Sequence, residues 1–372
     1  MDELTLGRRV AQARDVADIT QEGLGRAVGL NRTAIKHLED GERKLSVTEL
    51  GAIAHVLGRP LSFFVDSPAP AAARRRADTG LLHSTSRTLD IELDQFAGDL
   101  RMLVETGVIT PMARARERTP DNATGAEQMA KSIRSRLGMD LETQYEAVRD
   151  IGQTCESLGL HTYSLSLGEA GPDGAYAEVT GDVLDLGVAV INSDAPLGRR
   201  RMTLAHLLGH WLCGDAYDSS ASPDGEKMID LFAIHFLAPR AGMHMVWNEH
   251  LNWSDRDRAL AVSATYGLSW AATLGQLKNV GVMDFEGFQK LSESKPRAGD
   301  YLRLGLTWPD ELTSPYLSPG FISACLNGYA DEKLTESRLL ELLRGTLTAQ
   351  DLPEKDERSL DHVRASFAGH NR

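Results

Sequence analysis

The sequence predicts an α+β protein, mostly helical, in which an amino-terminal five-helix domain precedes a larger body with a small β-sheet and a helical carboxy-terminal region. Three observations carry this. Apolar residues between Leu6 and Val65 recur at helical spacing, broken by short turns. The runs HTYSLSLGE, AYAEVTGDVLDLG and VAVINS are short, rich in strand-forming residues and punctuated by Gly and Asp, hence a small sheet ending just before Arg199. A chain of 372 residues, 42% hydrophobic and 25% charged, can bury more than one core.

Composition narrows the function. No apolar run approaches a membrane span and no amino-terminal signal pattern is present, so a soluble cytosolic protein with no membrane partner is expected. Cys155, Cys213 and Cys325 are odd in number and far apart, which reads as reduced and mostly buried thiols. The net charge of -13 argues against the whole molecule coating a nucleic acid. Residues 1–76 nevertheless hold 12 Lys and Arg against 10 Asp and Glu, a balance of +2 that leaves -15 for the remainder. A contact with DNA would therefore fall to the amino-terminal part.

Within that part, Thr20 can cap a helix from Gln21 to Val28 whose Leu24 and Val28 face inward, and Gly29 supplies a tight turn. A second helix from about Arg32 to Glu39 points Ile35 and Leu38 inward and leaves Arg32, Thr33, Lys36 and His37 outside. This is a helix-turn-helix, in which the second helix enters the major groove and the start of the first meets the phosphate backbone. Gln21, Arg32, Thr33 and Lys36 are the expected DNA-binding residues. The segment closely resembles the Xre/Cro-type repressor family over about residues 4 to 65, including the tail DGERKLSVTELGAIAHVLGRPLSFF. The resemblance implies a lambda-repressor-like fold, a double-stranded operator, an inverted repeat by family habit, and a homodimer. The chain departs from the family at Gly25, where alanine is usual and glycine should loosen the helix by roughly 1 kcal/mol.

The expected division is a DNA-binding domain over 1–66, a linker over 67–88, a body over 89–285 and a helical region over 286–372. The stretch DSPAPAAARRRADTGLLHSTS has a linker's composition, although Arg74, Arg75 and Arg76 could graze phosphates. Leu93, Phe96, Leu100, Leu103 and Val104 form a helical stripe, and further helices are expected around 124 to 137 and 141 to 158. Near the end, Thr335 can cap a helix whose Leu339, Leu340, Leu342 and Leu343 are apolar, and the tail from Pro353 is charged. No phosphate-cradling glycine loop and no internal repeat is visible.

The stretch TLAHLLGHWLC places His206 and His210 four apart with no proline nearby, so both imidazoles leave one helical face and can grip one metal ion. A third ligand must come from elsewhere. Glu226 follows 16 residues after His210, at the start of EKMIDLFAIHFLAP, a helix with Ile229, Phe232, Ala233 and Phe236 inward. Asp230, one turn on, could accept a histidine N–H and fix its tautomer. The plainer alternative is two core or surface histidines and a helix-start carboxylate.

These segments, with the later ALAVSATYGLSWAATLGQLKNVGVM and its Tyr266, Leu268 and Ser269, resemble the ImmA/IrrE family of zinc peptidase-like proteins over about residues 125 to 285. The resemblance implies a zincin-like domain and a zinc ion on His206, His210 and Glu226, with Asp230 behind them. Where the family helix reads AHExGH, this chain has Leu207, which can neither take a proton from the attacking water nor return it to the departing amine. General acid–base assistance is worth roughly 100- to 10,000-fold in rate. Asp215, Asp218 and Asp224 lie in the connection after the helix, with nothing in the sequence to bring them to the metal. The expectation is a DNA-binding transcriptional regulator whose peptidase-like domain is catalytically impaired and acts as a sensor or as a docking module for a protein or peptide. The alternatives are an active zinc metalloprotease that cleaves a repressor, and one component of a toxin–antitoxin or phage-immunity pair.

Overall fold

The structure, a computed structural model, describes residues 2–65, 73–76, 83–111, 116–139, 145–179, 186–214, 223–307 and 310–353. Five helices open the chain: α1 (Glu3–Val16), α2 (Gln21–Val28), α3 (Arg32–Glu39), α4 (Val47–Val56) and α5 (Leu61–Val65). Their ends follow from local chemistry. Thr20 accepts from the Gly23 N–H, Asn31 accepts from Ala34, Ser46 and Glu49 form a reciprocal capping box, and Gly29 ends α2 at φ 73°. Val10, Leu24, Ile35, Leu38, Ile53 and Phe64 fill the core.

Gly25 has a different role from the one its helix propensity suggests. A Cβ there would lie 2.7 Å from the Leu30 carbonyl oxygen and 3.2 Å from the Asn31 carbonyl carbon, so the turn into α3 runs directly over it. Gly25→Ala is therefore expected to destabilise by about 1–3 kcal/mol through overpacking, outweighing its gain in helix propensity. Urea denaturation checks this: an unchanged or higher midpoint would show that the turn yields freely.

Beyond the bundle come β1 (Ala73–Arg76), α6 (His83–Glu105), α7 (Ala123–Arg136), α8 (Ile151–Glu156), β2 (Leu160–Leu165), β3 (Gly174–Val179), β4 (Leu186–Asn192) and α9 (Leu197–Cys213). They are followed by α10 (Pro223–Leu237), α11 (Arg240–Glu249), α12 (Asp255–Tyr266), α13 (Trp270–Asn279), α14 (Phe285–Ser292) and α15 (Ala298–Arg303). The last elements are β5 (Tyr316–Leu317), α16 (Pro319–Ala330), α17 (Glu336–Leu343) and a short 3-10 turn at Ala349–Asp351. Among the described residues no helix is long and apolar enough to cross a membrane.

The strands form one mixed sheet in the order β1-β3-β4-β2-β5, with β2 parallel to β4 and the other neighbours antiparallel. Alternation along β3 separates two cores. Tyr176 joins the cluster built on α7, α9, α10 and α12, while Ala175, Ala177 and Val179 join the cluster built on α6, α16 and α17. The stripe of α6 is thus core, with Leu93, Phe96, Leu100 and Leu103 fully covered and Val104 partly so.

Three expectations change. The stretch read as a linker contributes both β1 and the start of α6, because an open sheet edge can recruit a segment of indifferent strand propensity. The helix expected over 141 to 158 shrinks to α8 among the described residues: Asp150 sits at φ 46°, outside helical space, and caps α8 by accepting from the Gln153 N–H. The boundary at residue 286 cuts through a packed unit, since β5 pairs with β2 and α16 and α17 share a core with α6. Residues 354–372 of the charged tail lie outside the described residues.

Helix α6 also joins bundle and body. Ile91 completes the bundle core, and Arg59 pairs with Glu92 at 2.5 Å. Glu92 also takes Arg344 at 3.1 Å, and Asp99 takes Arg344 at 2.7 Å and Arg338 at 2.6 Å. These charges are largely buried and mutually compensated, as buried charges must be.

Candidate metal centre and nucleic-acid interface

Helix α9 begins after Pro196 and ends at Gly214, which is left-handed. Its arginines fix its placement: Arg200 pairs with Asp310 at 2.7 Å, and Arg201 pairs with Glu311 at 2.5 Å and donates to the Val148 carbonyl at 2.7 Å. Gly209 brings α10 close. A Cβ there would meet the side chains of Ile229 and Phe232 at 2.9 Å. This bare helix face lets the first turn of α10, with Glu226, reach the histidines.

The geometry converges. His206 Nε2 and His210 Nε2 lie 3.0 Å apart, and each lies 3.4 Å from Glu226 Oε2. His206 Nδ1 faces Asp230 Oδ1 at 2.9 Å, which directs the Nδ1 proton to Asp230 and leaves the Nε2 lone pair toward the cluster. The Tyr176 ring stacks on His210 with centroids 6.1 Å apart and planes 8° off parallel. Both histidines are buried, whereas Glu226 is partly open to solvent. The facing imidazoles of His206 first and His210 second hold the Glu226 carboxyl well below its usual range.

Three donors around one tetrahedral zinc ion would sit about 3.3 Å from one another, from ligand distances near 2.0–2.1 Å. The observed separations fit that arrangement with little adjustment. Among the described residues His206, His210 and Glu226 form the one group of His, Cys and carboxylate side chains able to hold a metal ion. Leu207 is 1% exposed and belongs to the surrounding apolar core. Asp224 is an exposed residue of the first turn of α10, and Asp215 and Asp218 lie outside the described residues. Cys213 is outside any disulfide and partly buried against the same core. Burial raises the thiol pKa of the other two, Cys325 to about 12.

A groove of about 760 Å³ opens beside this cluster, with Asp230 at its rim and Met202, Leu231, Ile234 and Ala272 among its apolar walls. Its residues come mainly from α9, α10 and α13, with Asp173 just ahead of β3, so no single stretch of sequence announces it. Tyr176 and Gly209 are likewise missing from the sequence reading, although the glycine within AHLLGH was a usable signal.

On the bundle, Arg32, Thr33 and Lys36 are exposed along α3. Lys36 shares a surface ion pair with Asp40 at 2.5 Å. Gln21 is partly buried and its carboxamide donates to Glu39 at 2.7 Å, where Arg14 also binds at 2.6 Å. The start of α2 therefore offers its backbone N–H groups, and Gln21 is engaged in holding α2 to α3.

The fold and these residues define a DNA-binding module joined to a body of peptidase-like architecture. Residues 5–62 match the family model of a helix-turn-helix domain, and residues 155–278 match that of the IrrE N-terminal-like domain. A helix-turn-helix segment thus precedes an IrrE-like segment in one chain. No curated protein and no solved structure matches it significantly.

Proposed function

We propose that this chain is a transcriptional regulator in which an operator-binding bundle is governed by a zinc-holding, catalytically impaired peptidase-like domain. The observation that carries the reading is the convergence of His206, His210 and Glu226 beside a buried Leu207. His206, His210 and Glu226 would hold the zinc and Asp230 would orient His206. Zinc, when bound, supplies Lewis-acid polarisation and an anchor for a carboxylate or peptide end. Without a proton carrier at residue 207 the domain binds in preference to cleaving. Arg32, Thr33 and Lys36 would read the operator, which a homodimer would meet as an inverted repeat.

The test is metal content and operator selection on the full chain. Protein purified without chelator is expected to hold about one zinc per chain, and His206→Ala and Glu226→Ala to hold none. Occupancy should fall on acidification, as protons compete with the metal for the imidazole nitrogens. Selection from random duplex DNA is expected to enrich an inverted repeat. A metal-free natural chain would overturn the zinc assignment, and failure to enrich any site would overturn the regulator.

A further inference from the structure

Strand β3 is the strand that runs against the histidine cluster. Tyr176 stacks on His210, a Cβ on Gly174 would lie 3.3 Å from the Thr203 side chain of α9, and Asp173 pairs with Arg199 at 2.7 Å. Asp173 and Asp230 both line the groove beside the cluster. One side of β3 is bonded to β4, so its other side is a sheet edge bordering this site. A sheet edge presents a row of backbone donors and acceptors that any extended segment can pair with.

Here the edge is occupied by the chain itself. β1 pairs antiparallel with β3, Ala73 opposite Ala177 through to Arg76 opposite Gly174. Its sequence, Ala-Arg-Arg-Arg within PAPAAARRRAD, has no β-branched or aromatic residue, so the pairing owes nothing to intrinsic strand preference. It is four residues long and lies between the last helix of the DNA-binding bundle and α6. It is also basic, whereas the chain beyond it carries a net charge of -15.

From this we infer that β1 is an exchangeable internal occupant of a strand-binding edge beside the histidine cluster, and that the partner fitting this edge is an extended basic peptide that adds antiparallel to β3 in its place. Small residues followed by arginines match the occupant observed, and basic charge matches the acidic body. Displacing β1 frees the segment that leads from the DNA-binding bundle into α6. The bundle itself stays seated on α6 through Ile91 and the Arg59–Glu92 pair, so exchange at the edge requires no movement of the bundle. The inference goes beyond the proposed function and needs neither zinc nor catalysis, so its failure would leave that reading standing.

The experiment is hydrogen exchange by mass spectrometry on peptides covering Gly174–Val179, with three full-length chains. One is natural, one is opened by Arg75→Pro, which removes an N–H and a strand conformation, and one is pinned by an Ala73→Cys/Ala177→Cys disulfide. The probe is a synthetic peptide of residues 70–79. Exchange in β3 is expected to be roughly tenfold or more faster in the opened chain than in the pinned one. Millimolar probe should restore protection in the opened chain and leave the pinned chain unchanged. The same peptide with glutamate in place of its arginines should restore nothing. Equal exchange in opened and pinned chains, no restoration by the probe, restoration in the pinned chain, or equal restoration by the acidic peptide would overturn the inference.

Discussion

Leu207→Glu is expected to convert the body into a working zinc-dependent peptidase, raising cleavage of unfolded casein by about 100- to 10,000-fold over the natural chain. Residue 207 follows the first histidine and lies three residues before the second, so it belongs to the helical face that carries His210. A carboxylate at that place can take a proton from the attacking water and deliver it to the departing amine. Because Leu207 is buried, a glutamate there risks the cost of an unpaired charge. Thermal melting and zinc content therefore accompany the assay, and Leu207→Gln, similar in shape but unable to carry the proton, should gain nothing. The comparison is repeated in the Arg75→Pro background, where β1 no longer competes with a substrate. Chelator-sensitive cleavage by the natural chain at the level of Leu207→Glu would sink the impaired-enzyme reading, and so would a folded, zinc-loaded variant that cleaves no faster in either background.

Arg32→Ala together with Lys36→Ala is expected to abolish operator selectivity while leaving the bundle folded. Each side chain that reads a base edge is worth about 1–3 kcal/mol, so the pair should cost roughly 30- to 20,000-fold in affinity for the selected site. Non-specific binding should fall far less. Both residues are exposed, and the Lys36–Asp40 pair is a surface contact that contributes little to stability. Footprinting at fixed salt checks this, and an unchanged footprint would refute the assigned surface. Gln21→Ala is expected to act differently, by loosening the contact of α2 with Glu39 and lowering stability more than it alters selectivity.

Legibility in the sequence followed the range of the interactions. Thr20, Gly29, Asn31 and Ser46 act on backbone groups a few residues away, so the ends of α2, α3 and α4 could be read directly. The common face of His206 and His210, and that of Glu226 and Asp230, follow from helical period alone. Bringing the two faces together required Gly209 to admit Ile229 and Phe232, a contact that no local pattern contains. The contact of Gln21 with the Glu39 carboxylate, 18 residues on, lies beyond any local pattern in the same way, whereas the Leu30 carbonyl over Gly25 is only five residues away and depends on how tightly the turn closes.

The sequence by itself determined the helix-turn-helix, the histidine helix with a leucine at position 207, and the following glutamate helix, since each is written in spacings of three or four residues. Only the tertiary structure decided that Ala73–Arg76 closes a sheet edge about 100 residues away in sequence. It also decided that β5, α16 and α17 complete the body with α6. A strand pairing or a shared core depends on which edge or face the rest of the chain leaves uncovered, and that exists only once the chain has folded.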